Sequence, residues 1–451
     1  MSVPLTEKLI EDVRLLIKDQ DRDTLGKLIF EMQPADVADL AEQLEHEERL
    51  YIIELLMPEE AGEVLLEMEL PVQERILDSL DAEAITKIVQ ELDSDDAADL
   101  VGDLPAERVK EIIDSVQTEV REELQKLLPF PEDSAGGLMA LEYVAVNANA
   151  TVQEAIEKLR KKREEVENLY SVFVVDDYSR LSGAVSLKDL VLEPPDRKIK
   201  DIMNPEILSV DVDTDQEEVA RLFQKYDLVS VPVVDDQHRL IGRITHDDIM
   251  DVIEEEADED MSLMAGVLDQ EIADESSLRI SRARLPWLMM GLFGELIAAT
   301  VIYQFAASLE KAVALAFFFP VIMAMGGNTG TQASIVLVRG LATGDIGPLH
   351  VGRRLWIEMR AALLNGFIVG IILAVIVSFW LSDFKLGCVV GFAMVVVIVN
   401  AGIVGSAVPL ALKRFNIDPA LATGPFVTTS NDIFGLLIYL SLVTLYFYFM
   451  G

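Results

Sequence analysis

Beyond Leu285 the chain is dominated by five apolar stretches, and they fix most of what it can become. They fall at about 285–304, 312–338, 361–381, 386–412 and 420–449. Each is long enough to cross a hydrocarbon core of about 30 Å as a helix. Lipid offers the backbone no hydrogen-bond partner, so such a segment must satisfy its own polar groups by coiling. The charge divides at the same point. Of 78 acidic and 37 basic residues, only seven and eight lie from Leu285 onward. The first 284 residues therefore carry a formal −42 and the rest +1. An acidic, water-soluble part is joined to a nearly neutral membrane part.

Basic residues orient the spans. Arg282 and Arg284, then Arg339, Arg353, Arg354 and Arg360, then Lys413 and Arg414 all fall on one side. Lys311 and Lys385 fall on the other. The N-terminal part is expected in the cytoplasm, with Gly451 outside. The chain opens polar and helical, with no signal peptide expected. An acidic surface excludes phosphate-backbone recognition, so nucleic acid is not an expected partner. A single cysteine, Cys388, excludes an internal disulfide and a cysteine-based zinc cluster. His46, His238, His246 and His350 have no metal-ligand spacing.

The last span holds PFVTTSNDIFG at 425–435, with Asp432 beside Asn431 and one turn beyond Thr428 and Thr429. A carboxylate at membrane depth costs roughly 2.5–3.5 kcal/mol and marks an ion pathway by default. On a helix, positions 425, 428, 429, 432 and 435 share a face suited to a pore wall. The alternative is a carboxylate buried against a neighbouring helix for structure alone. The second span carries PVIMAMGGNTGTQAS at 320–334, where Gly, Pro, Asn and Thr predict a broken helix around 326–328. Small residues for close helix packing are the other reading. Glu295 is a second intramembrane carboxylate, without a polar stripe to accompany it.

Residues 1–130 predict an all-helical repeat. Helix starts recur at Gln33-Pro34, Pro58-Glu59, Pro71, Ser94-Asp95 and Pro105, with acidic first turns. PADVADL at 34–40 and SDDAADL at 94–100 are versions of one unit. Asp95 and Asp99 form an i,i+4 carboxylate pair, which repels unless a cation lies between them.

Residues 131–249 change texture to short strands and helices. SVFVVDDYSRLSGAVSLKDL at 171–190 matches SVPVVDDQHRLIGRITHDDI at 230–249 with a constant offset of 59. Each copy ends in Gly-x-apolar-Ser/Thr-x-x-Asp, with Ser186 and Asp189 in the first and Thr245 and Asp248 in the second. This duplication resembles a pair of CBS domains. The resemblance implies a nucleotide site using Tyr170, Ser186 and Asp189, with ATP as the candidate ligand. The same hydroxyls and carboxylates also suit helix caps. Residues 250–284 predict an acidic connecting helix. Nine carboxylates fall between Asp247 and Asp260, with an apolar stripe from Ile249 to Met264.

Taken in order, the whole chain resembles the MgtE family of magnesium transporters. PVIMAMGGNTGTQ at 320–332, DPALATGPFVTTSNDIFG at 418–435 and PEDSAGGLM at 131–139 carry the resemblance. It implies a multi-domain architecture: an all-α helical-repeat N domain, an α/β CBS pair, a connecting helix and an all-α five-span pore domain over 285–451. It implies a homodimer in the inner membrane with a cation pore between subunits. The selectivity role falls on Asp432, with Gly327, Asn328, Thr331 and Thr428 as pore neighbours. Cytosolic Mg²⁺ ligands fall on Asp95, Asp99, Gly137, Glu217, Asp227, Asp248, Asp251, Glu256 and Glu259. One or two carboxylates and retained waters suit Mg²⁺. Alternatives are a transporter of Co²⁺ or Zn²⁺, or a CBS-regulated receptor without transport. No ATPase motif or nucleophile–base pair suggests an enzyme.

Overall fold

The computed structural model describes residues 5–450 apart from 103, 163–168, 268–276, 344–345, 347–350, 416 and 423. His350 and Gly451, named above, lie outside the described residues. The chain divides into two compact units, Met1–Glu254 and Glu255–Gly451.

The first unit opens with ten short helices among the described residues: α1 (Glu7–Lys18), α2 (Arg22–Phe30), α3 (Pro34–Glu42), α4 (His46–Ile53), α5 (Pro58–Leu66), α6 (Leu70–Ser79), α7 (Ala82–Val89), α8 (Ser94–Gly102), α9 (Ala106–Ser115) and α10 (Thr118–Leu127). Their starts follow the capping chemistry in the sequence. Pro34 and Pro58 open α3 and α5, while Asp21 and Asp81 accept from backbone N–H groups of Thr24 and Ala84. Stacking is periodic: α3 packs on α5, α5 on α7, α7 on α9, and likewise α4 on α6 and α8 on α10. One apolar row is thereby buried along the superhelix, including Leu25, Leu40, Ile52, Leu65, Ile76, Ile85, Leu100 and Ile112. The stacking is tight at Gly62, where a Cβ would stand 2.6 Å from Leu92.

Two α/β repeats follow. The first holds β1 (Ala145–Asn147), α11 (Val152–Lys161), β2 (Ser171–Val175), β3 (Leu181–Ser186) and α12 (Leu187–Leu192). The second holds β4 (Val210–Asp211), α13 (Gln216–Tyr226), β5 (Ser230–Val234), β6 (Leu240–Thr245) and α14 (His246–Ala265). Each sheet pairs its first strand parallel to its second, and the second antiparallel to the third. The offset of 59 survives in the register: Ser171 faces Ser186, and Ser230 faces Thr245. Both hairpins also slip register at the equivalent step, Val174/Val175 and Val233/Val234.

The stretch expected to be one connecting helix over 250–284 is not continuous. Helix α14 stops at Ala265, where Gly266 takes a positive φ of 72° and Val267 N–H closes back on Ser262 O at 3.0 Å. Residues 268–276 lie outside the described residues. The next described helix runs from Ser277, and Arg282 and Arg284 sit inside it.

The second unit holds α15 (Ser277–Gln304), the short α16 (Ala306–Lys311), α17 (Phe319–Ala342), α18 (Val351–Leu381), α19 (Phe384–Arg414) and α20 (Pro425–Met450). Among the described residues, five stretches are long and apolar enough to span a membrane: Ile280–Gln304, Val313–Ala342, Val351–Leu381, Phe384–Arg414 and Pro419–Phe449. Helix α19 is the centre, packing on α17, α18 and α20. Its contact with α18 is backbone to backbone. A Cβ on Gly370 would lie 2.7 Å from Gly391 O, and one on Gly391 would lie 2.5 Å from Gly370 O.

The expected break at 326–328 is absent. Helix α17 runs unbroken through Gly326, Gly327 and Asn328. Its glycines serve close packing instead. Gly326 faces Val397, and Gly330 faces Asn431 and Val427 while its carbonyl receives Gly405. Neighbouring helices hold a weak helix former in place, so propensity is overridden by packing. Irregular backbone occurs elsewhere, as 3₁₀ turns at Val313–Phe318 and Pro419–Ala422 that lead into α17 and α20.

Candidate ion-binding sites

Asp432 stands on α20, largely buried at 7% exposure, beside Asn431 at 1%. The expected polar face of α20 is divided. Thr428 is exposed, with Gly327 of α17 facing its methyl group, where a Cβ would lie 3.5 Å away. Thr429 instead packs on Gly294 of α15, and Gly435 packs on Val397 and Ile322. Asn328 is exposed and Thr331 half-buried on α17. Gly327, Thr428 and Asp432 thus gather where α17 meets α20. The side chain of Glu295 on α15 lies beside the Asp432 carboxyl. The sequence ranked Glu295 low for want of a polar stripe. Its polar company comes from another helix.

The first unit builds a second concentration of carboxylates. Asp95, at 6% exposure, opens α8 and is pushed far above the usual carboxylate range. Burial is the main cause, followed by the negative charges of Asp96, Asp248 and Glu142. Asp96 is pushed up to about 7 by burial, then by Asp248, Asp93, Glu142 and Asp247. Asp248 is raised by burial, partly offset by its bonds from Thr245 N (3.0 Å) and Thr245 Oγ1 (2.8 Å). Asp251 is raised by burial and by Glu67. Glu142 is held by Ser94, whose Oγ donates at 2.7 Å and N–H at 3.2 Å. Buried Arg243 is the positive charge acting on Asp248. Glu142, Asp96 and Asp247 were absent from the expected ligand set.

These groups supply oxygen donors alone, as hard divalent cations require. Among the described residues no three His, Cys, Asp or Glu side chains form a ready coordination shell.

A pH dependence follows. Folded-state values above the ordinary 3.8 favour the protonated form, so this contribution to stability is lost as pH rises through about 7. In chelator, the unfolding midpoint of the first unit is expected to drop by roughly 3–6 °C across that interval. Added Mg²⁺ should recover most of the loss at the upper end. Differential scanning fluorimetry across pH checks this, and a midpoint that rises through the window contradicts it.

The other expected ligands are more dispersed. Asp99 is exposed one turn beyond Asp95. A Cβ on Gly137 would press on the carbonyls of Pro131 and Glu132. Glu217 pairs with Arg221, and Asp227 ends α13 in the left-handed region at φ 50°. Glu256 and Glu259 lie along α14, half-buried and exposed. At the expected nucleotide site, Ser186 caps α12, accepting from Asp189 N at 3.1 Å and donating to Asp189 Oδ2 at 2.7 Å. Tyr170 is partly exposed and meets His246 edge to face, ring centroids 5.9 Å apart.

Comparison with known proteins adds the lineage. Family profiles match over residues 319–442 (divalent cation transporter), 32–133 (MgtE intracellular N domain), and 135–195 and 199–255 (CBS domain). The magnesium transporter MgtE of Thermus thermophilus is 36% identical over 447 residues, covering 98% of this chain and 99% of that protein. This chain belongs to the MgtE family. The MgtE of Bacillus subtilis is 33% identical over 438 residues, covering 97% of each chain. Among solved structures, the cytosolic domain of the Mg²⁺ channel MgtE in complex with ATP covers 54% of this chain and 99% of its own, at 36% identity and a TM-score of 0.51. The soluble part of a magnesium transporter covers 56% and 99%, at 29% identity and a TM-score of 0.50. The helical N domain, the CBS pair and the five membrane helices of this MgtE-family chain accord with the architecture expected from sequence.

Proposed function

We propose that this protein is a Mg²⁺-selective channel or transporter that admits Mg²⁺ to the cytoplasm and is closed by the ion it admits. The observation that carries this reading is Asp432, a buried carboxylate on a membrane helix, set beside Gly327 and Thr428 where α17 meets α20. The ion is the cargo. Asp432 attracts it, and Asn328, Thr331, Thr428 and the backbone at Gly327 offer neutral oxygen and nitrogen groups to its water shell. Polar Asn328 and Thr428 are exposed on a single chain, within segments otherwise suited to lipid. A second copy covering that face satisfies them and places two Asp432 carboxylates at one pore. The basic residues flanking the spans favour a cytoplasmic N-terminal part.

Closure rests on the acidic groups of the first unit. Asp95, Asp96, Glu142 and Asp248 repel one another when bare. Bound Mg²⁺ supplies positive charge that offsets this repulsion and favours the compact arrangement. Asp99, Gly137, Glu217, Asp227, Asp251, Glu256 and Glu259 complete the proposed set of cytosolic ligands. An adenine nucleotide is a candidate second ligand at Tyr170, Ser186 and Asp189. There it has to displace the Ser186–Asp189 bond.

Purified protein in liposomes loaded with a Mg²⁺-sensitive dye tests the reading. Mg²⁺ influx down a gradient, suppressed by millimolar internal Mg²⁺, is the expected result. Absence of flux favours a receptor. Equal flux of Co²⁺ or Zn²⁺ removes the selectivity claim.

A further inference from the structure

The duplicated hairpins of the CBS pair meet at their tips, far along the strands from Tyr170 and Ser186. Arg180 and Arg239, equivalent under the offset of 59, are partners in an isolated antiparallel bridge. Leu181 N–H donates to His238 O at 3.0 Å, and Leu240 N–H donates to Ser179 O at 3.1 Å. These reciprocal bonds fix the two tips together. Each tip is also stiffened internally. Asp176 accepts from Tyr178 N, Arg180 N and Arg180 Nε at 2.8, 2.9 and 3.0 Å. Asp235 accepts from Gln237 N, Arg239 N and Arg239 Nε at 2.9, 2.9 and 2.7 Å.

A notch of about 450 Å³ opens here, lined by Tyr178, Arg180, Gln237 and Arg239. Two guanidinium groups stand in its lining, within a part of the chain that carries a formal −42. Like charges directly opposite one another across a ladder are destabilising. Each guanidinium has five N–H donors, and its own aspartate is bonded to only one or two of them. Arg180 lies over the Tyr178 ring, its Cζ 5.2 Å from the centroid, which holds it at the notch wall.

We propose that this notch binds a compact oxyanion of the phosphate class, with Arg180 and Arg239 as paired forks, Gln237 as amide donor and Tyr178 as hydroxyl donor. Guanidinium forks match such anions in shape as well as charge. The site is separate from the one at Tyr170, Ser186 and Asp189, which lies at the opposite end of the β2–β3 hairpin. Free phosphate and the phosphate tail of a nucleotide share this chemistry.

The test is calorimetric titration of the full-length protein in detergent, with EDTA present and at low salt. Inorganic phosphate, pyrophosphate and ATP are the three probes. Wild type is expected to bind pyrophosphate saturably, with a dissociation constant of about 1 mM or tighter. Arg180→Gln or Arg239→Gln should weaken this by about 10-fold each. Tyr178→Phe with Gln237→Ala leaves both Arg–Asp pairs in place, so it guards against a result due to unfolding, and should weaken binding by about 3-fold. Asp189→Asn should leave pyrophosphate binding unchanged. ATP that competes with pyrophosphate identifies a nucleotide tail as the source, and phosphate binding alone identifies the free ion. No saturable binding to wild type, or binding indifferent to both arginine changes, overturns the proposal.

Discussion

Asp432→Asn is expected to reduce Mg²⁺ influx in proteoliposomes by at least about 100-fold, with the protein still folded and inserted. Asparagine keeps the shape and loses the charge. Mg²⁺ gives up its water reluctantly, so a neutral pore gives it little reason to leave bulk solvent. A carboxylate costs roughly 2.5–3.5 kcal/mol to place at membrane depth, and a divalent cation offsets that cost when it arrives. The matching control is Glu295→Gln, which neutralises the carboxyl that α15 sets beside Asp432. Full Mg²⁺ flux and selectivity in the Asp432 variant would remove the carboxylate from the pore mechanism.

The second large effect belongs to the cytosolic cluster. Asp95→Asn together with Asp96→Asn should raise the internal Mg²⁺ needed for half-closure by about 5–150-fold, the usual span of a coupling free energy. Asp95 is buried and Asp96 half-buried, and each feels mainly desolvation and negative neighbours. Neutral amides remove the repulsion that bound Mg²⁺ would relieve, so the ion loses its preference for the compact form. Flux recorded at stepped internal Mg²⁺ provides the curve. A double variant that closes at the wild-type concentration disproves the sensor assignment.

Much of this was legible in the residues. The offset of 59 foretold two copies of one strand–helix unit, and the structure adds that their sheets share a register, with matched irregularities at Val174/Val175 and Val233/Val234. The span positions followed from length and apolarity, because lipid admits few alternatives. What sequence pattern concealed was tertiary. Glu142 reaches Ser94 across 48 positions, and no periodicity links them. Glu295 looked isolated because its partner is on α20 rather than on its own helix. The glycines of α17 suggested a break, since local propensity counts only what glycine costs a helix. Their use lies in letting Val397, Asn431 and Gly405 come close.

Asp248 closes the first turn of α14 through Thr245 and also stands among the charges acting on Asp95 and Asp96. A single oxygen, Oδ2, takes both bonds from Thr245. Genetics at this position is consequently confounded. A substitution loosens the start of α14 and, under the proposed sensor role, alters ion counting in one stroke, so a phenotype there has no unique cause. Thr245→Val separates them: it removes the hydroxyl bond and spares the carboxylate.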